Sequence, residues 1–194
     1  MRGKAVRKQS RKDEGVTDLI DARGVPKDDL RFEVLGTLDE ASSALGLVRA
    51  TDERSGARDL ILEIQSDLCW MMSELSVVAD EKKFETHITA ERVAALDKAY
   101  GELVTSRPHI AAEIENAGVR AASFANRGQS VLGASMHLAC SSIRRAEREL
   151  HLFADQRGIH NPDMIPYMSR LLALVYAMAR AEEGDSPTGD GAQR

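Results

Sequence analysis

The chain has 194 residues, 43 % of them hydrophobic and 29 % charged, with a formal net charge of −5. That is enough apolar material for one domain with a real core, and the acidic balance disfavours a general nucleic-acid binder. Aromatic residues make up only 4 % of the chain, which is thin for a β-sandwich or barrel and ordinary for an Ala/Leu-rich helical protein. No apolar run approaches the ~20 residues of a membrane helix, and Met1–Lys12 has no apolar stretch of the secretory type. The expectation is therefore a cytoplasmic protein with no membrane or nucleic-acid partner. Cys69 and Cys140 fall in apolar helical patterns and read as reduced and buried.

In chain order, the first twelve residues form a basic arm: Arg2, Lys4, Arg7, Lys8, Arg11 and Lys12, with no acid among them. Residues 13–184 read as a single helical domain, and 185–194, rich in Gly, Ser, Pro and charge, as a disordered tail. Five apolar stripes with steps of three and four residues follow one another. They are Val34–Leu38–Ala41–Leu45–Val48, then Ile61–Ile64–Leu68–Met71–Leu75–Val78, then Val93–Leu96–Tyr100–Leu103. The fourth is Leu132–Met136–Ala139–Ile143–Ala146–Leu150–Phe153, and the fifth Met164–Met168–Leu171–Val175–Met178. Each is the buried face of an amphipathic helix. No segment alternates with period two. Linkers are expected around Arg54–Ala57, Asp80–His87, Arg107–Arg127 and Asp155–Pro162. Thr89 with Glu91 and Arg92, and Asn161-Pro162-Asp163, read as helix starts. The fold class is all-α, a five-helix up-and-down bundle of the ferritin-like kind.

A di-iron bundle would need Glu-x-x-His on two helices, and no Glu here has a His three residues later. His87, His109, His137, His151 and His160 show no paired ligand spacing, so no protein-held metal is expected. No P-loop and no Gly-x-Gly-x-x-Gly is present. Three local features remain. Arg144-Arg145-Ala146-Glu147-Arg148 places Arg144 and Arg148 on one helix face, where like charges repel unless an anion lies between them. It is either a solvated face or a polyphosphate clamp. The segment from Lys12 to Asp18, with Lys27 beyond, supplies Asp13, a turn-permitting Gly15 and the Thr17 hydroxyl; it is either a polar loop or part of a phosphate cradle. Phe124 lies outside every stripe in a polar stretch, as a core anchor or as the wall of a ligand pocket.

In order and at these separations, the blocks resemble the PduO-type ATP:cob(I)alamin adenosyltransferases over roughly residues 9–182. The blocks are Val25-Pro26-Lys27-Asp28-Asp29, Gly36-Thr37-Leu38-Asp39-Glu40 through Gly46, Ile64-Gln65-Ser66-Asp67-Leu68, Arg144-Arg145-Ala146-Glu147-Arg148, and Asn161-Pro162 with Tyr167-Met168-Ser169-Arg170-Leu171. The resemblance implies a homotrimeric five-helix bundle with ATP, Mg²⁺ and cobalamin (a corrinoid) bound at subunit interfaces. In it Asp13, Gly15, Thr17 and Lys27 would wrap the triphosphate, and Arg144, Arg145 and Arg148 would hold phosphates, with Glu147 orienting them. Phe124 would displace the lower axial ligand of the corrinoid. Phe124 and Arg144 are the expected catalytic residues. Co(I) would then attack C5′ of ATP and expel triphosphate, with a reductase or an adenosylcobalamin-dependent enzyme as protein partner. The sequence departs from the family pattern at Glu14, at Cys140 in place of an interface arginine, and at Ser169 and Ala173. A family member that binds corrinoid or nucleotide without turnover, as carrier or sensor, is therefore the alternative. A helical interaction module with no small ligand is a third reading.

Overall fold

The computed structural model describes residues 15–52, 57–78, 85–112, 114 and 128–184. Within them lie five long helices: α1 (Leu30–Thr51), α2 (Ala57–Leu75), α3 (Ala90–Ser106), α4 (Val131–Arg157) and α5 (Met164–Gly184). A further short helical stretch covers residues 108–112, inside the expected third linker. The expected N-terminal arm and C-terminal tail lie outside the described residues. A two-stranded antiparallel hairpin precedes the bundle, β1 (Val16–Thr17) on β2 (Val25–Pro26), with Thr17 opposite Val25. No period-two pattern signals it, because two-residue strands are too short to show one.

The stripes bury as their spacing requires. Val34, Leu38, Ala41, Leu45 and Val48 of α1, and Leu132, Met136, Ala139, Ile143, Ala146, Leu150 and Phe153 of α4, belong to one core with Met168, Leu171 and Val175 of α5. Two expectations fail. Cys69 is exposed, since it follows Leu68 by one residue and so turns about 100° off the buried stripe. Val78 is also exposed, because α2 ends at Leu75 before the stripe is complete. Cys140 is buried, and both cysteines are free.

Local chemistry sets the helix ends. Asp29 caps α1 by accepting from Arg31 N at 2.9 Å, and Ser130 caps α4 by accepting from Gly133 N at 2.9 Å. Gly158, at φ 78°, stops α4. Asn161 accepts from Asp163 N at 3.0 Å ahead of α5. Thr89 stands at the α3 N-cap without a side-chain cap bond. Its hydroxyl bonds instead to Glu91, which holds that carboxyl below its ordinary range.

Polar contacts fix the directions of the helices. Gln65 of α2 donates to Ser42 O of α1 at 2.9 Å, and Gly46 makes room for it, since a Cβ there would lie 3.2 Å from Gln65 Nε2. Arg157 at the end of α4 meets Asp29 before α1 at 3.4 Å. His137 near the start of α4 meets Glu183 near the end of α5 at 3.1 Å. Asp97 and Arg170 pair at 3.0 Å, and Asn161 reaches Ile88 O at 2.9 Å, so α3 and α5 run the same way. The bundle therefore alternates up and down through all five helices, as expected. Among the described residues no helix is long and apolar enough to cross a membrane.

Three helices meet at Asp67 of α2, which is buried. Its carboxylate accepts from Arg92 Nε of α3 at 3.0 Å and from the Tyr167 hydroxyl of α5 at 2.7 Å. The bond to Asp67 raises the Arg92 pKa. Burial, reinforced by the neighbouring carboxylate, pushes the Tyr167 phenol far above its ordinary range. The folded state thus holds a proton that the unfolded chain releases near pH 10, so this stabilisation is complete below about pH 10 and is lost as pH rises further. Tyr167→Phe is expected to cost about 1–2 kcal/mol at neutral pH, because Asp67 loses one charge-assisted bond and keeps Arg92. The alkaline fall in stability should shrink in the same variant. Urea unfolding at pH 8 and above pH 10 checks both.

Candidate functional site

The hairpin brings together residues that are twelve apart in sequence. Gly15, at φ 71°, takes the left-handed conformation that suits glycine, and its carbonyl accepts from Lys27 N at 2.9 Å. Thr17 sits on β1 directly after this turn. Gly15, Thr17 and Lys27 are therefore neighbours on one element. Asp13, expected beside them, lies outside the described residues.

The hairpin is fastened to the end of the bundle where α1 begins and α4 finishes. Leu19 is buried there, and Asp21 Oδ1 accepts from Val78 N at 2.8 Å. Asp18 closes the connecting loop, accepting from Gly24 N at 3.1 Å and from Arg23 at 2.9 Å. Asp29 is the joint, capping α1 with one oxygen and meeting Arg157 of α4 with the other. Beneath the hairpin lies a space lined by Leu19, Val25, Arg31 and Phe153, in which the Arg31 guanidinium stands 4.9 Å from the Phe153 ring centroid. Arg31 also donates to the Leu75 and Val77 carbonyls, which binds the end of α2 to the same corner.

The second group of expected residues lies on α4. Arg148 and Arg144 stand nine and thirteen residues before Arg157, about 14 and 20 Å along the helix axis. They share a face, and Arg148 Nη1 reaches the Arg144 carbonyl at 3.3 Å. Arg144 is half-buried, and among the described residues its guanidinium has no ion pair. Glu147 is half-buried on the same turn. Arg145 points elsewhere, with Nη1 on Glu40 at 3.0 Å and Nη2 on Glu33 at 3.1 Å, both on α1. The arginine block thus divides between two tasks: Arg144 and Arg148 form an unneutralised cationic edge, and Arg145 joins two helices. Phe124 lies outside the described residues.

Buried acids carry much of the bundle's polar framework. Glu74 accepts from His87 N at 2.7 Å and from Asn161 Nδ2 at 2.8 Å. Glu183 holds both His137 and Arg180, the latter at 2.6 Å. Sequence reading missed these partnerships. The available signal was a polar residue at a stripe position: Asp67 falls between Ile64 and Leu68, and an acid buried there must find donors. Among the described residues, no three His, Cys, Asp or Glu side chains gather as a metal site would require.

The fold and site together define a class: an all-helical bundle with a glycine-turned hairpin at one end and an arginine edge on its longest helix. Residues 8–182 match the family model described as cobalamin adenosyltransferase, and the chain belongs to that family. It is 31 % identical over 175 residues to the corrinoid adenosyltransferase PduO of Citrobacter freundii, covering 90 % of this chain and 49 % of that protein. It is 30 % identical over 182 residues to a corrinoid adenosyltransferase of Bacillus subtilis, covering 92 % of this chain and 86 % of that one. The chain spans about half the length of the PduO relatives it matches. The fold is shared with a variant of the PduO-type ATP:corrinoid adenosyltransferase from Lactobacillus reuteri complexed with cobalamin and ATP, at a TM-score of 0.72 and 22 % identity over 88 % of this chain and 89 % of that one. An arginine-to-lysine variant of the same enzyme complexed with ATP superposes at a TM-score of 0.73.

Asp29→Ala removes the α1 cap and the Arg157 contact together, and is expected to destabilise the protein by about 1–2 kcal/mol. Asp29→Asn retains a capping oxygen and should lose well under half as much. Urea midpoints of the two variants against the parent chain check this.

Proposed function

We propose that this protein transfers the 5′-deoxyadenosyl group of ATP to the Co(I) centre of a corrinoid. The cobalt electron pair forms the new bond to C5′, the C5′–O bond breaks, and triphosphate leaves with its electrons. The observation that carries the reading is the Arg144/Arg148 edge on α4. Two cations one helical turn apart on one face call for an anion, and arginine matches phosphate oxygens. No side-chain nucleophile is needed, because the enzyme positions two reactants and stabilises the leaving charge. Lys27 with the Gly15 turn and Thr17 would take the other end of the triphosphate, with Asp13 beside them. Glu147 would orient the arginines, and Phe124 would occupy the lower face of the corrinoid. Mg²⁺ fits best as an ion carried on the triphosphate oxygens, since no three acids converge to cage it among the described residues.

The layout supports a site shared between copies of the chain. Within one chain the hairpin residues and the arginine edge are separated by more than two turns of α4. Val131, Leu138 and Leu152 lie on one stripe of α4, seven and fourteen residues apart with Arg145 between the last two, all three exposed, and exposed Leu47 is on the neighbouring α1. An exposed apolar edge of this kind suits a homotrimer. A reductase or an adenosylcobalamin-dependent enzyme would act next to it in a cytoplasmic setting. A second reading, a family member that binds ligand without turnover, draws on Cys140. This position is a buried, free cysteine, so the arginine charge that the family pattern has there is missing.

The deciding assay is anaerobic: purified chain, ATP, Mg²⁺ and reduced cobalamin, followed by the absorbance of adenosylcobalamin. Turnover is expected, with Arg144→Ala lowering kcat/KM about 100-fold. Binding of ATP or cobalamin by calorimetry with no product would establish the second reading instead. Light scattering coupled to gel filtration should return a mass near three times 21.2 kDa, and Leu138→Glu should reduce it.

A further inference from the structure

Arg145 is the residue whose geometry least suits a phosphate ligand. Both of its terminal nitrogens are committed to carboxylates of α1, Nη1 to Glu40 Oε2 at 3.0 Å and Nη2 to Glu33 Oε1 at 3.1 Å. Glu33 and Glu40 are seven residues apart, so they lie on one stripe of α1 about 10 Å apart along the axis. One planar guanidinium spans the gap between them, which the single point charge of an ammonium does not do. A triphosphate oxygen at the same nitrogens would have two carboxylates as near neighbours, which repel it.

We propose that Arg145 is a positioning residue, with Glu33 and Glu40 as its paired receptor on α1. Held by two acids at once, Arg145 fixes both the rotation of α4 and its sliding along α1. Arg144 is one residue away, about 100° around the helix, and Arg148 is four residues from Arg144 on its face. Setting the rotation of α4 therefore sets where the arginine edge points. The same α1 begins at Asp29, two residues after Lys27, so Glu33 and Glu40 register the α4 edge against the hairpin that carries Lys27. This role rests on the triphosphate reading of Arg144 and Arg148.

The discriminating variant removes the acids rather than the arginine. Calorimetric titration of Mg²⁺·ATP into the full chain is compared for the parent, Arg145→Met, Arg145→Lys, Glu33→Gln/Glu40→Gln and the triple combination of Arg145→Met with both glutamines. If Arg145 positions, neutralising both acids weakens ATP binding about fivefold, as Arg145→Met does. Arg145→Lys fails to rescue, and the triple variant is no worse than either parent variant. If Arg145 were a phosphate ligand, removing its acids would release it and tighten ATP binding, which overturns the proposal. Lowered stability with unchanged ATP affinity overturns it as well, since that is a merely structural bridge. Should the parent chain bind no ATP, the triphosphate reading fails separately. In that case the positioning role, which rests on that reading, falls with it.

Discussion

A buried carboxylate that must be satisfied from three directions organises this bundle. Asp67 sits in the apolar stripe of α2, and taking its charge out of water is costly unless donors meet it. Arg92 from α3 and Tyr167 from α5 supply them. Seven residues further along α2, Glu74 repeats the arrangement. It takes the backbone amides of His87 and Ile88 ahead of α3 and the Asn161 amide ahead of α5. Two acids one heptad apart on one helix thus hold the beginnings of two others. Apolar packing tolerates small slides along a helix axis; a buried carboxylate does not, because a slide of one residue would leave it without its donors.

The remaining pair of helices is registered by different chemistry. On the α1 side the contacts are an amide fitted against a glycine, Gln65 over Gly46, and half-exposed ion pairs between α1 and α4. An isolated exposed pair is weak, but one guanidinium held by two carboxylates at once keeps a defined geometry. Buried acids therefore tie α2, α3 and α5, whereas α1 and α4, whose stripes pack in the common core, take their register from that packing and from these half-exposed pairs.

Much of this was legible in the sequence, and what was not has a physical reason. The stripes of α1, α4 and α5 predicted burial residue by residue, because a period of 3.6 leaves little freedom once one face is apolar. The up-and-down order of the helices followed from five successive stripes separated by linkers. Cys69 was misplaced because an apolar residue next to a stripe looks like a member of it. The hairpin left no trace because its strands have two residues each. The proximity of Gly15 to Lys27 comes from that hairpin, so a reading of local spacing could name both residues but not join them. Buried partnerships such as Asp67 with Arg92 and Tyr167 span 25 and 100 residues, and only the polar residue in the stripe hinted that some partner had to exist.

The arginine block shows the limit of reading a motif as a unit. In sequence, Arg144-Arg145-Ala146-Glu147-Arg148 looks like one basic cluster. On a helix its members point in different directions at about 100° per residue. Ala146 is buried, its small methyl side chain letting α4 lie close to its neighbours. Arg145 turns to α1 and is neutralised there by two acids. Arg144 and Arg148 share the one face on which positive charge accumulates. A contiguous block therefore encodes a packing position, an interhelical tie and a charged edge, and the three are coupled by the rigidity of the helix they share. Changing the tie is therefore expected to turn the edge, so that a substitution at Arg145 is felt at Arg144 through the helix they share.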